Sequence, residues 1–501
     1  MSEPLIIAVD SSTTATKALV VDPEGRVVGQ GRATYEMAMP ARDFYEQRAT
    51  DWVDAGHRAI AQAVASLSDP ERGRVAGICV TPQRQTFVLC DDDGTPRRPA
   101  VLWLDGRAGD QVLRLGSASV HALSGMVPDV TPSFYKLAWL AEHEPDVLAG
   151  AGRVAGVHAY LVHAFTGEWV DSRATADSLG LFDMAALDWA DDLLELAGVR
   201  RDQLPDLADA AAVLGDVRPE VARAWGLPGP IPVVAGCGDG QAAGLGAGVT
   251  QPDEGYLNLG TAVVAGVHSP AYRWGRSYRT DAAGIPGQYV LEVVQNSGAY
   301  LTGWFRSELG DPALRGAPDA ELERAASRVP AGSEGLVTLP YWNAVQSPHW
   351  DPRARGAMIG FSGTHGRPAM YRSVLEGISL EAARNLRALE ADTGTPLSTV
   401  RIMGGGQRSP LWRTILAACV GVPLETCAAE EVSALGAAAM GMAAVTGVDV
   451  AASARGMAAP GEVTEPDPAL VERYAAIGAV QGEVYDRLAD LFPRLQGLVE
   501  G

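Results

Sequence analysis

A chain of 501 residues, 47% hydrophobic and 20% charged, is long and apolar enough for two or three packed α/β domains, and its composition excludes a disordered chain. A net charge of −21 and a sequence pI of about 4.8 argue against a nucleic-acid footprint or an anionic membrane surface, so a phosphate would have to be met locally by amides, a metal and a few cations. No run of about 18 apolar residues occurs, and the five cysteines form no CxxC pair and leave one over, which points to reduced thiols in a cytoplasmic protein.

The stretch Leu5 to Asp22, LIIAVDSSTTATKALVVD, predicts strand, turn, strand. Leu5 to Val9 is too short and too β-branched for a helix, Ala18 to Val21 resumes the apolar run, and Asp22-Pro-Glu-Gly25 ends it. Such a turn directs backbone N–H groups and hydroxyls into one concavity fit for a phosphate, and leaves Asp10 at the strand end for a metal. An exposed Ser/Thr-rich turn accounts for the same letters. The chain has only two lysines, Lys17 and Lys136, against 38 arginines, and the first lies in this turn. An ammonium point charge is not interchangeable with a guanidinium fork. Neither lysine stands in a Gly-Lys-Ser/Thr loop or a Val-Ala-Ile-Lys strand, which excludes P-loop enzymes and protein kinases.

Strand and helix then alternate: a strand over Arg26 to Thr34, a helix over Trp52 to Ser66, and strands over Val75 to Val80 and Phe87 to Cys90. Between the last two, Gln83, Arg84 and Gln85 can converge on a ligand or form a polar loop. The run Ala100 to Arg107 closes on Trp103, Asp105 and Arg107, a flat ring with hydroxyl-binding partners or, equally, a core tryptophan with a surface ion pair. Thr131 to His143 reads as a helix with Leu137, Trp139 and Leu140 packed inside and Lys136 toward solvent. The strand Ile231 to Ala235 enters Gly236-Cys-Gly-Asp239-Gly-Gln241, which holds an acid where a general base would stand. A turn aspartate bonding its own backbone is the alternative. GLGAG at 244 to 248 follows a helix start and not a strand, against a dinucleotide fingerprint.

Gly255 to Val267 repeats the opening pattern of apolar run, polar turn and apolar run, so two related domains facing one cleft are expected, 1–249 and 250–501. Further on, a strand is expected over Gly356 to Phe361, a long helix over Ala369 to Glu390, and a strand Val400 to Met403 ending in Gly404-Gly405-Gly406-Gln407. Glycines there allow close approach of a base or phosphate. Glu430 to Ala444 is a small-residue helix suited to tight packing and carrying little chemistry, and Arg473 to Leu498 a terminal helix.

In order, DSSTTATKAL, TPQRQTFV, PAVLWLDGR, the Lys136/Trp139 helix, TGEWVDSRATADSLGLFD, AGCGDGQAAGLGAG, LNLGT, ARGAMIGFSG through SVLEGIS, and GGGQRSPLW resemble the FGGY carbohydrate kinases over nearly the whole chain. The resemblance implies an α/β fold of two RNase H-like, actin-like ATPase domains closing on ATP, Mg²⁺ and a small-molecule sugar or polyol, with a homodimer allowed. It assigns Asp239 as catalytic base, Asp10 with Asp239 to the metal, Thr13, Thr14 and Lys17 to the first phosphate loop, and Gly260 and Thr261 to the second. Gly405, Gly406 and Gln407 fall to adenosine, and Arg84, Gln85, Trp103, Asp105 and Gln241 to the carbohydrate. Arg84, Gln85 and Trp103 are expected to set sugar choice and leave nucleotide binding alone, being far along the chain from both phosphate loops.

Departures bear on the substrate. Gln83-Arg84-Gln85-Thr86 replaces the Gln-Met-His type segment of xylulose kinases and looks more like the Arg-Glu-Thr of glycerol kinases, with Gln for Glu. Gly240 intervenes where those families run Asp-Asn or Asp-Gln. The order of expectation is a xylulose-like ketopentose, then a polyol of the erythritol or glycerol type. An ATPase or nucleotide-gated binding protein on the same fold is the alternative class.

Overall fold

The structure, a computed structural model, describes residues 3–314 and 317–498. The opening stretch folds as its alternation predicts. Leu5–Ser11 (β1) pairs antiparallel with Ala15–Val21 (β2), and β2 with Val27–Thr34 (β3). On the other side of β1 lies Val75–Pro82 (β4), parallel to it, and then Pro232–Val234 (β5), parallel to β4. The order is β3-β2-β1-β4-β5, extended at one edge by Val213–Asp216. Every residue of β1 is buried: period-2 alternation sends Leu5, Ile7 and Val9 into a core under helix Ala49–Ala65 (α1), and Ile6 and Ala8 into a second core on the opposite face.

The second half repeats this plan. Glu254–Leu259 (β6) pairs antiparallel with Val263–Ser269 (β7), Arg279–Ala282 (β8) with Tyr289–Gln295 (β9), and β7 with β9. Thr399–Met403 (β10) runs parallel to β6, and Leu424–Cys427 (β11) parallel to β10. Without its edge strands the order β9-β7-β6-β10-β11 matches β3-β2-β1-β4-β5 in sequence and sense, the duplicated RNase H-like arrangement.

Helices lock the halves together. Three bear on the site: Ser133–His143 (α2), Asp239–Gly246 (α3) and Val432–Thr446 (α4). Helix α4, from the second half, lies against β1 and β4 of the first sheet and crosses α3. A Cβ on Gly436 would stand 2.0 Å from the Ala242 carbonyl oxygen, and one on Gly246 1.9 Å from that of Val432, so this crossing is backbone to backbone. The Ala/Gly pattern is a packing device, as read. Its first turn is not inert, however, because Glu431 pairs with Lys17 and Ser433 Oγ donates to the Asp239 carbonyl.

Some expectations are corrected. Lys136 does not face solvent: it is fully buried on α2 and its Nζ donates to the carbonyls of Thr131 (2.7 Å), Leu102 (3.0 Å) and Trp103 (3.3 Å). Loops on either side of the helix supply these acceptors, which helical periodicity does not reveal. Trp139 is half-buried and stacks on His143. The terminal helix begins earlier than read, at Pro468–Leu488, and a separate short helix follows at Phe492–Gly497. Among the described residues no helix is long and apolar enough to cross a membrane.

Candidate active site

Strand β5 runs into Gly236 to Gly238 and releases the chain at the first turn of α3, where Asp239 stands. A carboxylate at a helix N-terminus is stabilised by the unpaired N–H groups there. The Gly240 N–H donates to Asp239 Oδ1 at 2.9 Å and Arg84 Nε to the same oxygen at 3.2 Å, which leaves Oδ2 for a substrate hydroxyl. Asp239 borders a cleft of about 230 Å³ between the halves, with Thr13, Gln83, Gln85, Trp103 and Thr131 from one side and Arg279, Asn296 and Gln346 from the other. A smaller recess of about 140 Å³ adjoins it, lined by Arg84, Asp239, Tyr256 and Asn258.

Arg84 is the hub of this region. Besides Asp239, its guanidinium donates from Nη1 to Asp281 Oδ2 at 3.0 Å and from Nη2 to Glu292 Oε1 at 2.9 Å. Glu292 also takes Arg279 Nε at 2.8 Å, a second Arg279 donor, and the Tyr256 hydroxyl at 3.3 Å. Burial would raise the Glu292 carboxyl, but Arg279 and Arg84 beside it prevail and hold it at about 2. Burial and the charge of Asp281 push Asp177 well above the carboxylate range. Arg84 is thus in the cleft as expected, but its nitrogens are engaged by acids, and it holds Asp239 in place.

The glycines flanking Asp239 have a packing role. A Cβ on Gly238 would stand 2.3 Å from Arg84 Cδ, and one on Gly240 would stand 2.5 Å from Glu292 Oε2 and 2.7 Å from Arg84 Nη2. They make room for the Arg84–Glu292 pair. Gln241 is buried under the site, its amide donating to the carbonyls of Ala282 (3.3 Å) and Ala174 (3.4 Å), and it does not line the cleft. Asp105 is fully buried behind the wall, where it accepts from the Tyr45 N–H (2.7 Å) and from Arg107 Nε and Nη2 (both 2.8 Å). It does not line the cleft. Gln85, by contrast, lies on the cleft in the left-handed region at φ 60°, a strained conformation that loops at functional sites hold.

The residues expected in the two phosphate loops lie in two turns. Ser12 Oγ donates to Asp10 Oδ1 at 3.0 Å, and Trp103 Nε1 donates to Thr13 Oγ1 at 3.0 Å, while Thr14 is exposed. Lys17 Nζ lies 2.6 Å from Glu431 Oε2. In the second turn the Gly260 carbonyl accepts from the Ala299 N–H at 2.7 Å, and that of Thr261 from Gly298 at 3.0 Å and Tyr300 at 3.1 Å. Gly404, at φ 81°, closes against β6, where a Cβ would meet Asn258 Oδ1 at 2.5 Å. Gly405 is exposed beside it. Gly406 instead packs on Leu259 and Trp412, and the Gln407 amide is clamped to Cys427 from both ends, at 3.1 and 3.2 Å, so these two shape the turn.

Models of the FGGY family of carbohydrate kinases match residues 5–246 with their N-terminal domain and residues 255–445 with their C-terminal domain. The chain belongs to this family. It is 32% identical over 469 residues to a glycerol kinase of Bordetella parapertussis, covering 88% of each chain, and 30% identical over 444 residues to the xylulose kinase of Escherichia coli, covering 87% of this chain and 89% of that one. The structure of xylulose kinase from Rhodospirillum rubrum superposes with a TM-score of 0.90 at 29% identity, over 97% of this chain and 99% of that one.

As an FGGY kinase the protein is an ATP-dependent phosphotransferase acting on a small molecule, which sets aside the reading as an ATPase without turnover of an acceptor. Its own residues fit a divalent cation. Burial and then the charge of Asp239 raise the Asp10 carboxyl to about 7, against the Ser12 hydrogen bond and Lys17, so this pair of acids is short of positive charge. Sequence reading missed Arg279, Asp281 and Glu292. Arg279 and Glu292 face each other across β8 and β9, thirteen positions apart, and only the register brings them together.

Proposed function

We propose that this FGGY kinase transfers the γ-phosphoryl group of ATP to a primary hydroxyl of a ketopentose, xylulose-like first, in the cytoplasm, with 1–249 and 250–501 acting as its two lobes. The observation that carries the reading is the composition of the cleft. Four side-chain amides, Gln83, Gln85, Asn296 and Gln346, border it with Trp103 and the base. Amides both donate and accept, so they suit a chain with a hydroxyl or carbonyl on every carbon, and an indole face suits its C–H side.

Asp239 takes the proton from the attacking hydroxyl through Oδ2, while Gly240 N–H and Arg84 hold Oδ1. The turns at 12–14 and 260–261 enclose the phosphates, and the cleft excludes water from the transfer. Asp10 and Asp239 would hold Mg²⁺, which when bound neutralises phosphate charge.

A polyol of the erythritol or glycerol type is the second reading, favoured by Arg84 and by the 32% identity to a glycerol kinase. A panel of ketopentoses, tetritols and glycerol, followed as ADP release, tests both. The first reading expects the highest kcat/KM on a ketopentose. A maximum on glycerol or erythritol would replace it with the second, and no release above the basal rate with any acceptor would overturn both.

A further inference from the structure

Arg84 is consumed by its acids, yet the cleft holds a second guanidinium. Arg279 borders it, and its Nε and Nη2 rest on a single oxygen of Glu292. Among the described residues its remaining nitrogen, Nη1, meets only Gln85 Oε1, at 3.5 Å, the long limit of a hydrogen bond. Glu292 is fully buried and held from the other side by Arg84, so Arg279 stands on a rigid mount. That mount exists because residue 240 is glycine, since any side chain there would displace the Glu292 carboxylate.

We infer that Arg279, through Nη1 and together with Gln85, reads an oxygen of the acceptor remote from the hydroxyl that is phosphorylated, and so determines substrate choice. A weak, long contact between a guanidinium and an amide is easily exchanged for two shorter bonds to a substrate hydroxyl or carbonyl. The hydrogen bonds run from Asp239 through Arg84 and Glu292 to Arg279, so Asp239 and Arg279 offer separate contacts for two different oxygens of the acceptor. Acceptors long enough to reach it gain a charge-assisted bond, and glycerol gains less.

This inference rests on the kinase reading above. The test compares wild type with Arg279→Met and Arg279→Lys, measuring KM for the best ketopentose, for glycerol and for ATP. Loss of a hydrogen bond from a charged group predicts about a tenfold or greater rise in the ketopentose KM for Arg279→Met. Partial rescue by Arg279→Lys, a smaller rise for glycerol, and an unchanged ATP KM are expected with it. A ketopentose KM unchanged within error, or equal rises for ketopentose, glycerol and ATP, would overturn the inference and leave the kinase reading intact. A wild type inactive on every acceptor would overturn the kinase reading itself. If Arg279→Met does not fold, Gln85→Asn carries the same comparison, because asparagine tolerates the left-handed backbone at this position while its shorter amide cannot reach Arg279.

Discussion

Trp103 donates its indole N–H to Thr13 Oγ1 at 3.0 Å, so the wall of the cleft and the turn at 12–14 form one hydrogen-bonded unit. The two residues are 90 positions apart, and distance along the chain had suggested that Trp103 would leave the nucleotide alone. Trp103→Phe keeps an aromatic face and removes the donor. It should raise the ATP KM several-fold, on the order of the roughly 0.5–1.5 kcal/mol of a neutral hydrogen bond. Trp103→Ala should raise the sugar KM as well. Steady-state kinetics with each substrate varied in turn decides it, and an ATP KM unmoved by Trp103→Phe would show that the bond does not position the turn.

Lys136 is the second consequence. Its ammonium meets three carbonyls, of Thr131, Leu102 and Trp103, and two of these residues line the cleft. Burial, opposed by Asp105 and Asp129, lowers it to about 7 from 10.5. Between these values the unfolded chain holds a proton that the folded protein has lost, so this residue makes stability rise with pH across that window; below about 7 its penalty is present in full. Melting temperatures from pH 6 to 9.5 should therefore show a rising contribution that Lys136→Met abolishes. Parallel pH profiles for the two proteins would contradict the assignment.

Lys17 gives a contrasting case. Its pair with Glu431 is partly exposed, 31% and 38% at the two side chains, and such pairs are worth about 0–1 kcal/mol. Lys17→Met should hardly change the melting temperature. If the ammonium leaves Glu431 for a nucleotide phosphate, the same variant should raise the ATP KM by about tenfold, the scale of a lost charged hydrogen bond. A lower melting temperature with an unchanged ATP KM would make Lys17 a purely structural residue.

Much of the framework was legible because it depends on local pattern. The hairpin of β1 and β2 and the recurrence of that hairpin at β6 and β7 follow from alternation and turn residues. Asp239 was legible for the same reason, as an acid between glycines after a strand. What those glycines accommodate was not, because Glu292 reaches Gly240 from a strand about fifty positions away, in the other half. The Asp105–Arg107 ion pair was one of the two readings of its motif, and what the letters did not show is that the pair is buried; nor do they show that the Cys427 backbone occupies Gln407.

The most direct test of Asp239 as the proposed base is kcat of Asp239→Asn on the best acceptor, with ATP binding measured separately. Asparagine preserves the shape beside Arg84 and Gly240 but cannot take a proton. A positioned base contributes about 10² to 10⁴-fold in rate, so kcat should fall on that scale while ATP still binds. Retention of more than roughly a tenth of the wild-type kcat, well inside the loss expected for a base, would contradict it.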